Sequence, residues 1–171
     1  MATPTANELK QRLKALVLLS IAIPLLLLAL PFLLVYGIIW WFWGYVLAHW
    51  CWRAHGRHGR DVLFVYSNSP NWEAYIEENI LPRIRDRAVI LNWSERKLWP
   101  QRCPWEARAF RYWAGSVEFN PVAIVLSRWK AIRVVRFYSA FRDYKHGNEQ
   151  KLRAAESSLF EVLRDHTTLG A

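Results

Sequence analysis

The feature that most constrains this chain is a run of 38 residues, from Ala15 to Trp52, without any Asp, Glu, Lys or Arg. A chain of 171 residues is too short to bury such a run in a globular core. The run is also longer than the apolar core of a cleaved signal peptide. We therefore predict a basic N-terminal flank at residues 1–14 and a retained membrane anchor at residues 15–52.

The internal arrangement of this anchor stays open. A straight helix of this length would measure ~57 Å, nearly twice the hydrocarbon thickness of a bilayer. Pro24, Pro31 and Gly37 interrupt the run. One arrangement is a helix kinked at the prolines that spans the bilayer, followed by a segment along its surface. The other is a re-entrant hairpin that enters and leaves on one side.

Aromatic residues at the far end of the run and the basic residues that follow it are typical of a membrane surface. The predicted membrane-surface residues are Trp40, Trp41, Trp43, Trp50, Trp52, Arg53, Arg57 and Arg60. The last three lie in a predicted basic linker at residues 53–60. The net charge of +9 favours anionic lipid headgroups as partners, since each well-placed basic residue contributes about 1 kcal/mol at such a surface.

Basic residues flank both ends of the run, so charge does not define its inside end. We place the globular domain in the cytoplasm, at the inner or cytoplasmic membrane if the protein is bacterial. Two cysteines, Cys51 and Cys103, exclude a disulfide-rich secreted module and agree with a reducing compartment.

Residues 61–168 have the pattern of a small α/β domain. The pattern predicts strands at 61–66, 88–93, 122–126 and 132–138, and helices at 70–84, 104–114 and after Asn148. The segment at 94–104 reads as irregular. The first two strands flank a helix and should be parallel, whereas the short connection between the last two predicts an antiparallel hairpin. Arg133 and Arg136 alternate along the last strand, which favours an edge position.

This β-α-β-α-β-β-α order, with a proline directly before the third strand, resembles the thioredoxin-like fold. In that family a proline, usually with a cis peptide, opens the strand that begins the hairpin, and Pro121 occupies that place. The family's active site follows its first strand, which corresponds here to residues 67–74. That segment has no C-x-x-C, so the resemblance implies a redox-inactive member. The competing fold is another three-layer α/β sheet such as a small Rossmann-like one, although no glycine-rich nucleotide motif follows the first strand.

Polar residues after the predicted parallel strands form the candidate pocket, because ligands of open α/β sheets bind beyond the carboxyl ends of the strands. Asp143 and His146 join it from a basic loop, as a candidate acid–base pair. The predicted pocket residues are Asn68, Ser69, Asn71, Glu95, Arg96, Pro121, Asp143 and His146. Turn and cap chemistry explains the same residue types without any ligand.

Other classes of site receive less support. His49, Cys51, His55 and His58 fit no standard zinc spacing, and neighbouring arginines would repel a dication, so no metal or other cofactor is expected. No nucleic-acid-binding module is readable, so we do not expect nucleic acid as a partner.

Three hypotheses about function follow. The favoured one is a membrane-anchored, non-catalytic thioredoxin-like domain that acts as a scaffold or adaptor, with a membrane protein as a further partner. The second is a membrane-bound enzyme for a lipid-linked or anionic substrate. The third is a redox protein that uses Cys103.

Overall fold

The computed structural model describes residues 6–115, 120–127 and 131–167. The first residues of the predicted flank at 1–14, three residues of the turn after the third strand and the end of the predicted domain at 168 lie outside this part. The chain divides into two compact units, residues 1–43 and residues 44–171.

The first unit is helical. Its helix, α1, begins at Ala6, includes Pro24 and Pro31, and continues to Ala54, in the second unit. The hairpin alternative is therefore wrong, because the chain does not turn back within the apolar run. Side chains from 10 to 43 are exposed, apart from the half-buried Ala29. By length and composition α1 is able to cross a membrane, and it is the one such helix in the described part of the chain.

The second unit is α/β. Its strands are β1 (Val62–Tyr66), β2 (Ala88–Asn92), β3 (Val122–Val125) and β4 (Arg133–Arg136). Its helices are α2 (Glu73–Tyr75), which continues through a π-helical turn (Ile76–Ile80) into α3 (Leu81–Ile84), then α4 (Trp99–Arg102), α5 (Pro104–Ala114), α6 (Tyr138–Tyr144) and α7 (Gln150–Thr167). Short 3-10 turns lie at Gly56–His58, Arg85–Arg87 and Trp93–Glu95.

Two helices differ from the sequence prediction. The short helix α4 lies in the segment predicted to be irregular, where Trp99 is buried. The prediction of a strand up to Tyr138 followed by a loop was also wrong, because β4 ends at Arg136 and α6 follows it. Phe137 and Phe141 are four residues apart, which suits one face of a helix, and both are buried.

The described strands form one mixed sheet in the order β2-β1-β3-β4. β1 and β2 are parallel, as predicted, and Tyr66 pairs with Asn92. β3 is antiparallel to β1 on one side and to β4 on the other, which confirms the predicted hairpin and places β4 at the edge. The peptide between Asn120 and Pro121 is cis.

Both faces of the sheet are covered, so every residue of β1 is buried. Since successive side chains of a strand point to opposite faces, Val62, Phe64 and Tyr66 join one core with α3, α6 and α7. Leu63 and Val65 join a second core with α4 and α5. The apolar face predicted for the last helix contributes Leu152, Leu159 and Leu163 to the first core.

The last turns of α1 belong to the second unit and pack against α5. Leu47 and Cys51 are buried, and the Cys51 thiol lies 3.9 Å from the Trp105 carbonyl oxygen. Trp50 stacks on Trp105 with ring centroids 5.3 Å apart. A side-chain contact between His55 and Glu106 follows one turn later. The chain around residues 44–55 is therefore held by α5 as a part of the globular unit.

Candidate functional site

The carboxyl ends of β1, β2 and β4 and the start of β3 lie side by side along one border of the sheet. This edge runs across the strands and is distinct from the lateral edge that β4 forms. Tyr66 pairs with Asn92, and Val65 pairs with Val122, so β1 and β2 end where β3 begins. β4 ends at the same edge, because Val122 pairs with Arg136. The sheet therefore brings the loop after β1, the turn after β2, Pro121 and the start of α6 to one edge.

At this edge a closed network of hydrogen bonds joins the loops after β1 and β2. The Asn68 backbone N–H donates to Ser94 Oγ at 3.1 Å, and Asn92 Nδ2 donates to Asn68 Oδ1 at 2.5 Å. The Ser94 backbone N–H donates to Asn92 Oδ1 at 2.9 Å. These polar groups satisfy one another, so the predicted pocket residue Asn68 holds the two loops together.

The next residues start the helix that follows β1. The Ser69 hydroxyl accepts two long hydrogen bonds from Asn71, from its backbone and from its amide, each at 3.4 Å. The Trp72 indole N–H donates to the Ser67 carbonyl oxygen at 3.1 Å. This bond fixes the Trp72 ring beside α6, where its centroid lies 6.2 Å from that of Tyr138 and 6.1 Å from that of Phe141.

A groove of about 250 Å³ lies between this helix start and α6, and we call it the α6 groove. Three aromatic side chains and four polar or basic ones line it: Trp72, Tyr138, Phe141, Asn71, Arg142, Lys145 and His146. Two predicted pocket residues, Asn71 and His146, thus meet here. The sequence analysis did not identify Tyr138 and Phe141 as pocket residues, because it predicted a strand and a loop where α6 lies.

The α6 groove is positively charged. Arg142, Lys145 and His146 are exposed. The nearby Asp143 carboxylate lies 2.5 Å from Lys151 Nζ and 3.6 Å from Arg142 Nε. The hydrogen bond from Lys151 is the main reason why the pKa of Asp143 lies below its ordinary value. Lys151 and Arg142 therefore share one carboxylate, and Lys145 adds further positive charge at the groove.

The predicted acid–base pair receives no support from this geometry. Within the described residues no hydrogen bond joins the His146 ring to the Asp143 carboxylate; the two residues are joined by the His146 backbone N–H, which donates to the Asp143 carbonyl oxygen at 3.0 Å. Asp143 is not among the groove-lining residues. It serves instead as an anchor between α6 and α7 through Lys151.

Three other predicted pocket residues lie at the same edge but do not line the α6 groove. Glu95 Oε2 is 4.0 Å from Arg102 Nη1, and the Arg96 guanidinium lies 5.0 Å from the centroid of the Trp93 ring. Pro121 is buried, and its carbonyl oxygen accepts a hydrogen bond from the Phe137 N–H at 2.9 Å. Their described contacts are local packing and pairing.

The predicted membrane-surface residues are mostly exposed. This holds for Trp40, Trp41, Trp43, Trp50, Arg53, Arg57 and Arg60, whereas Trp52 is half-buried. In the second unit, Trp50 combines exposure of 49% with stacking on Trp105. The aromatic end of the run therefore includes protein-facing contacts as well as exposed surface.

The cysteines lie outside this edge of the sheet. Cys103 is half-buried before α5, and burial, followed by the charge of Glu106, raises the pKa of its thiol. A raised pKa reduces the thiolate that nucleophilic chemistry needs. In the described part of the chain, no three side chains of His, Cys, Asp or Glu come together in a group that could hold a metal ion.

Comparisons with protein-family models, with curated proteins and with solved structures found no match to this chain. The residues at the sheet edge and the apolar helix are therefore the features of this chain that bear on its function.

Proposed function

We propose that this chain is a membrane-anchored, non-catalytic domain of thioredoxin-like architecture that acts as a scaffold or adaptor beside a membrane. The strand order, the parallel pair β1 and β2, and the hairpin that follows Pro121 support the architecture. The exposed apolar helix α1 supports the anchor. The basic composition supports an anionic membrane surface or a membrane protein as the partner.

One observation carries the non-catalytic role. At the place that corresponds to the family's active site, residues 67–72 contain serine, asparagine, proline and tryptophan but no cysteine. Asn68 is engaged with Asn92 and Ser94, and Trp72 with the Ser67 carbonyl. Disulfide exchange requires a thiolate, which this segment lacks.

The test is thiol–disulfide turnover by the full chain in mild detergent, measured as reduction of an insulin disulfide by dithiothreitol. We expect the uncatalysed rate, and the same rate for Cys103→Ser. Faster reduction that disappears in Cys103→Ser would replace the proposal with the redox hypothesis. Isolation of the chain without any stable protein partner, together with a measured turnover, would also contradict the adaptor role.

The enzyme hypothesis keeps one supporting observation, which is the α6 groove with its basic side chains and the His146 imidazole. Its test is hydrolysis of an activated phosphate ester by the full chain. Turnover that is lost in His146→Gln would favour the enzyme, whereas binding without turnover favours the adaptor.

The proposed cytoplasmic side is tested separately, with intact cells. Protease and thiol reagents added outside should leave the globular unit and Cys103 unmodified until the cells are opened. Modification from outside would contradict this placement.

A further inference from the structure

The shape and charge of the α6 groove define a class of ligand. We propose that the α6 groove binds a phosphate monoester, with the phosphate beside Arg142, Lys145 and His146 and the organic group against Trp72, Tyr138 and Phe141. The inference rests on the proposed function, because it takes this groove as the binding surface of the adaptor.

Charge matching favours phosphate over a carboxylate. Arg142 and Lys145 are exposed, and the Asp143 charge beside them is also shared by Lys151. Arg142 and Lys145 both line the groove and carry a full positive charge, and no described lining residue is a carboxylate. A phosphate monoester carries about −1.5 to −2 at neutral pH, whereas a carboxylate carries one charge. Charge-assisted hydrogen bonds from guanidinium and ammonium groups to phosphate oxygens are stronger than neutral ones.

The aromatic side chains favour an ester over free phosphate. The Trp72 and Tyr138 rings meet edge to face at an interplanar angle of 68°, and the Trp72 indole is held by its bond to the Ser67 carbonyl. These rings are fixed before a ligand arrives, so little conformational entropy is lost on binding. An apolar organic group gains from removal of their surface from water.

The test is calorimetric titration of the full chain in neutral detergent with phenyl phosphate, inorganic phosphate and benzoate. The groove variant combines Arg142→Gln, Lys145→Gln and His146→Gln. The matched control combines Arg85→Gln, Lys97→Gln and His58→Gln, which removes the same residue types from exposed positions outside the groove. The unfolding temperature of both variants checks that they are folded.

We expect phenyl phosphate to bind the wild-type chain and the control with equal affinity, and the groove variant at least about tenfold more weakly. Inorganic phosphate and benzoate should both bind more weakly than phenyl phosphate to the wild-type chain. The same loss of affinity in both variants would overturn the groove assignment, because it would show binding to general positive charge. Benzoate binding as tight as that of phenyl phosphate would overturn the choice of phosphate.

A second arm separates a soluble ester from a lipid headgroup, since both present the same chemistry. The chain is placed in nanodiscs of phosphatidylcholine with or without phosphatidic acid, and phenyl phosphate is titrated again. Phenyl phosphate that binds more weakly in the nanodiscs with phosphatidic acid, without the same weakening in the groove variant, supports the inference and assigns a lipid source. Unchanged binding supports it and assigns a soluble source. If neither phosphate compound binds and the chain also shows no thiol–disulfide turnover, this inference is wrong and the proposed function stands.

Discussion

Two stretches of α1 have the same uncharged composition but different environments. In residues 15–43 the side chains are exposed around the helix, apart from the half-buried Ala29. In residues 44–52 one face is buried, with Gly44, Leu47 and Cys51 at intervals of three and four residues. The side chains of Tyr45 and Trp50 on the same turns remain exposed. Apolar composition alone therefore does not tell a proposed lipid-facing stretch from one that packs on protein.

The second stretch differs because small residues let another helix approach. A Cβ added at Gly44 would lie 2.6 Å from Tyr112 Cζ, whereas one added at Gly37 meets nothing within 4 Å. Cys51 likewise places a small side chain against the Trp105 backbone. Close approach at small residues is a common basis of helix packing. Equivalent substitutions in the two stretches should therefore have different consequences.

The largest effect is expected from charge in the first stretch. The double substitution Leu26→Arg and Leu30→Arg should abolish the proposed membrane retention, since each arginine near a bilayer centre costs about 2.5–3.5 kcal/mol for insertion. Retention is measured as the fraction of full chain that stays with membranes in alkaline carbonate. The control, Leu26→Ala with Leu30→Ala, should remain in the membrane fraction. If the arginine variant is retained as well, residues 15–43 are not an anchor.

The next effect concerns packing in the second stretch. Leu47 is fully buried, so Leu47→Ala should lower the free energy of unfolding of the globular unit by about 2–5 kcal/mol. Leu33→Ala changes a side chain that is 60% exposed and should leave it nearly unchanged. Urea unfolding of the detergent-solubilised chain, followed by near-ultraviolet circular dichroism, compares the two. Equal losses would contradict the difference between the stretches.

A matched pair of glycines gives the third prediction. Gly37→Ala should be neutral or stabilising by up to about 1 kcal/mol, because alanine favours a helix more than glycine does. Gly44→Ala gains the same helix propensity but should still cost about 1–2 kcal/mol in total, because its methyl group would overlap the Tyr112 ring and force the ring to shift. The same urea titration measures both. Tyr112→Leu in the Gly44→Ala background should restore part of the loss, and the absence of any such recovery would assign the cost to another contact.

The sequence predicted the elements whose patterns are local. β1 is a continuous apolar run, and α5 begins at Pro104 and ends before Gly115, which has a φ of +87°. Both were placed correctly from propensity and caps. The edge position of β4 also followed from its arginines.

The remainder depends on contacts between distant parts of the chain. Arg136 was predicted only as a charged residue of an edge strand. Its guanidinium also donates hydrogen bonds to the Ala114 and Trp113 carbonyl oxygens at the end of α5, at 2.7 and 3.0 Å. Likewise Asn71 and His146 are far apart in sequence and meet only because β1 and β4 end at the same edge. Local patterns do not contain that information, so the candidate groove could be predicted only in its separate parts.

The smallest expected effect concerns the last contact of the docked end of α1, between His55 and Glu106. The side chains are 24% and 13% exposed, so Glu106→Gln should cost only about 1 kcal/mol in the urea titration. The matched control Glu161→Gln, at an exposed position of α7, should lower the free energy of unfolding by less.

Glu106 also contributes to the raised pKa of the Cys103 thiol, as the second cause after burial. Removal of its negative charge favours the thiolate, so the pKa should fall towards its ordinary value and remain above it. The pH dependence of Cys103 alkylation, in a Cys51→Ala background, measures this fall. An unchanged stability would show that the contact with Glu106 does not hold His55 and the end of the helix. An unchanged alkylation profile would show that the Glu106 charge does not raise the pKa of the Cys103 thiol.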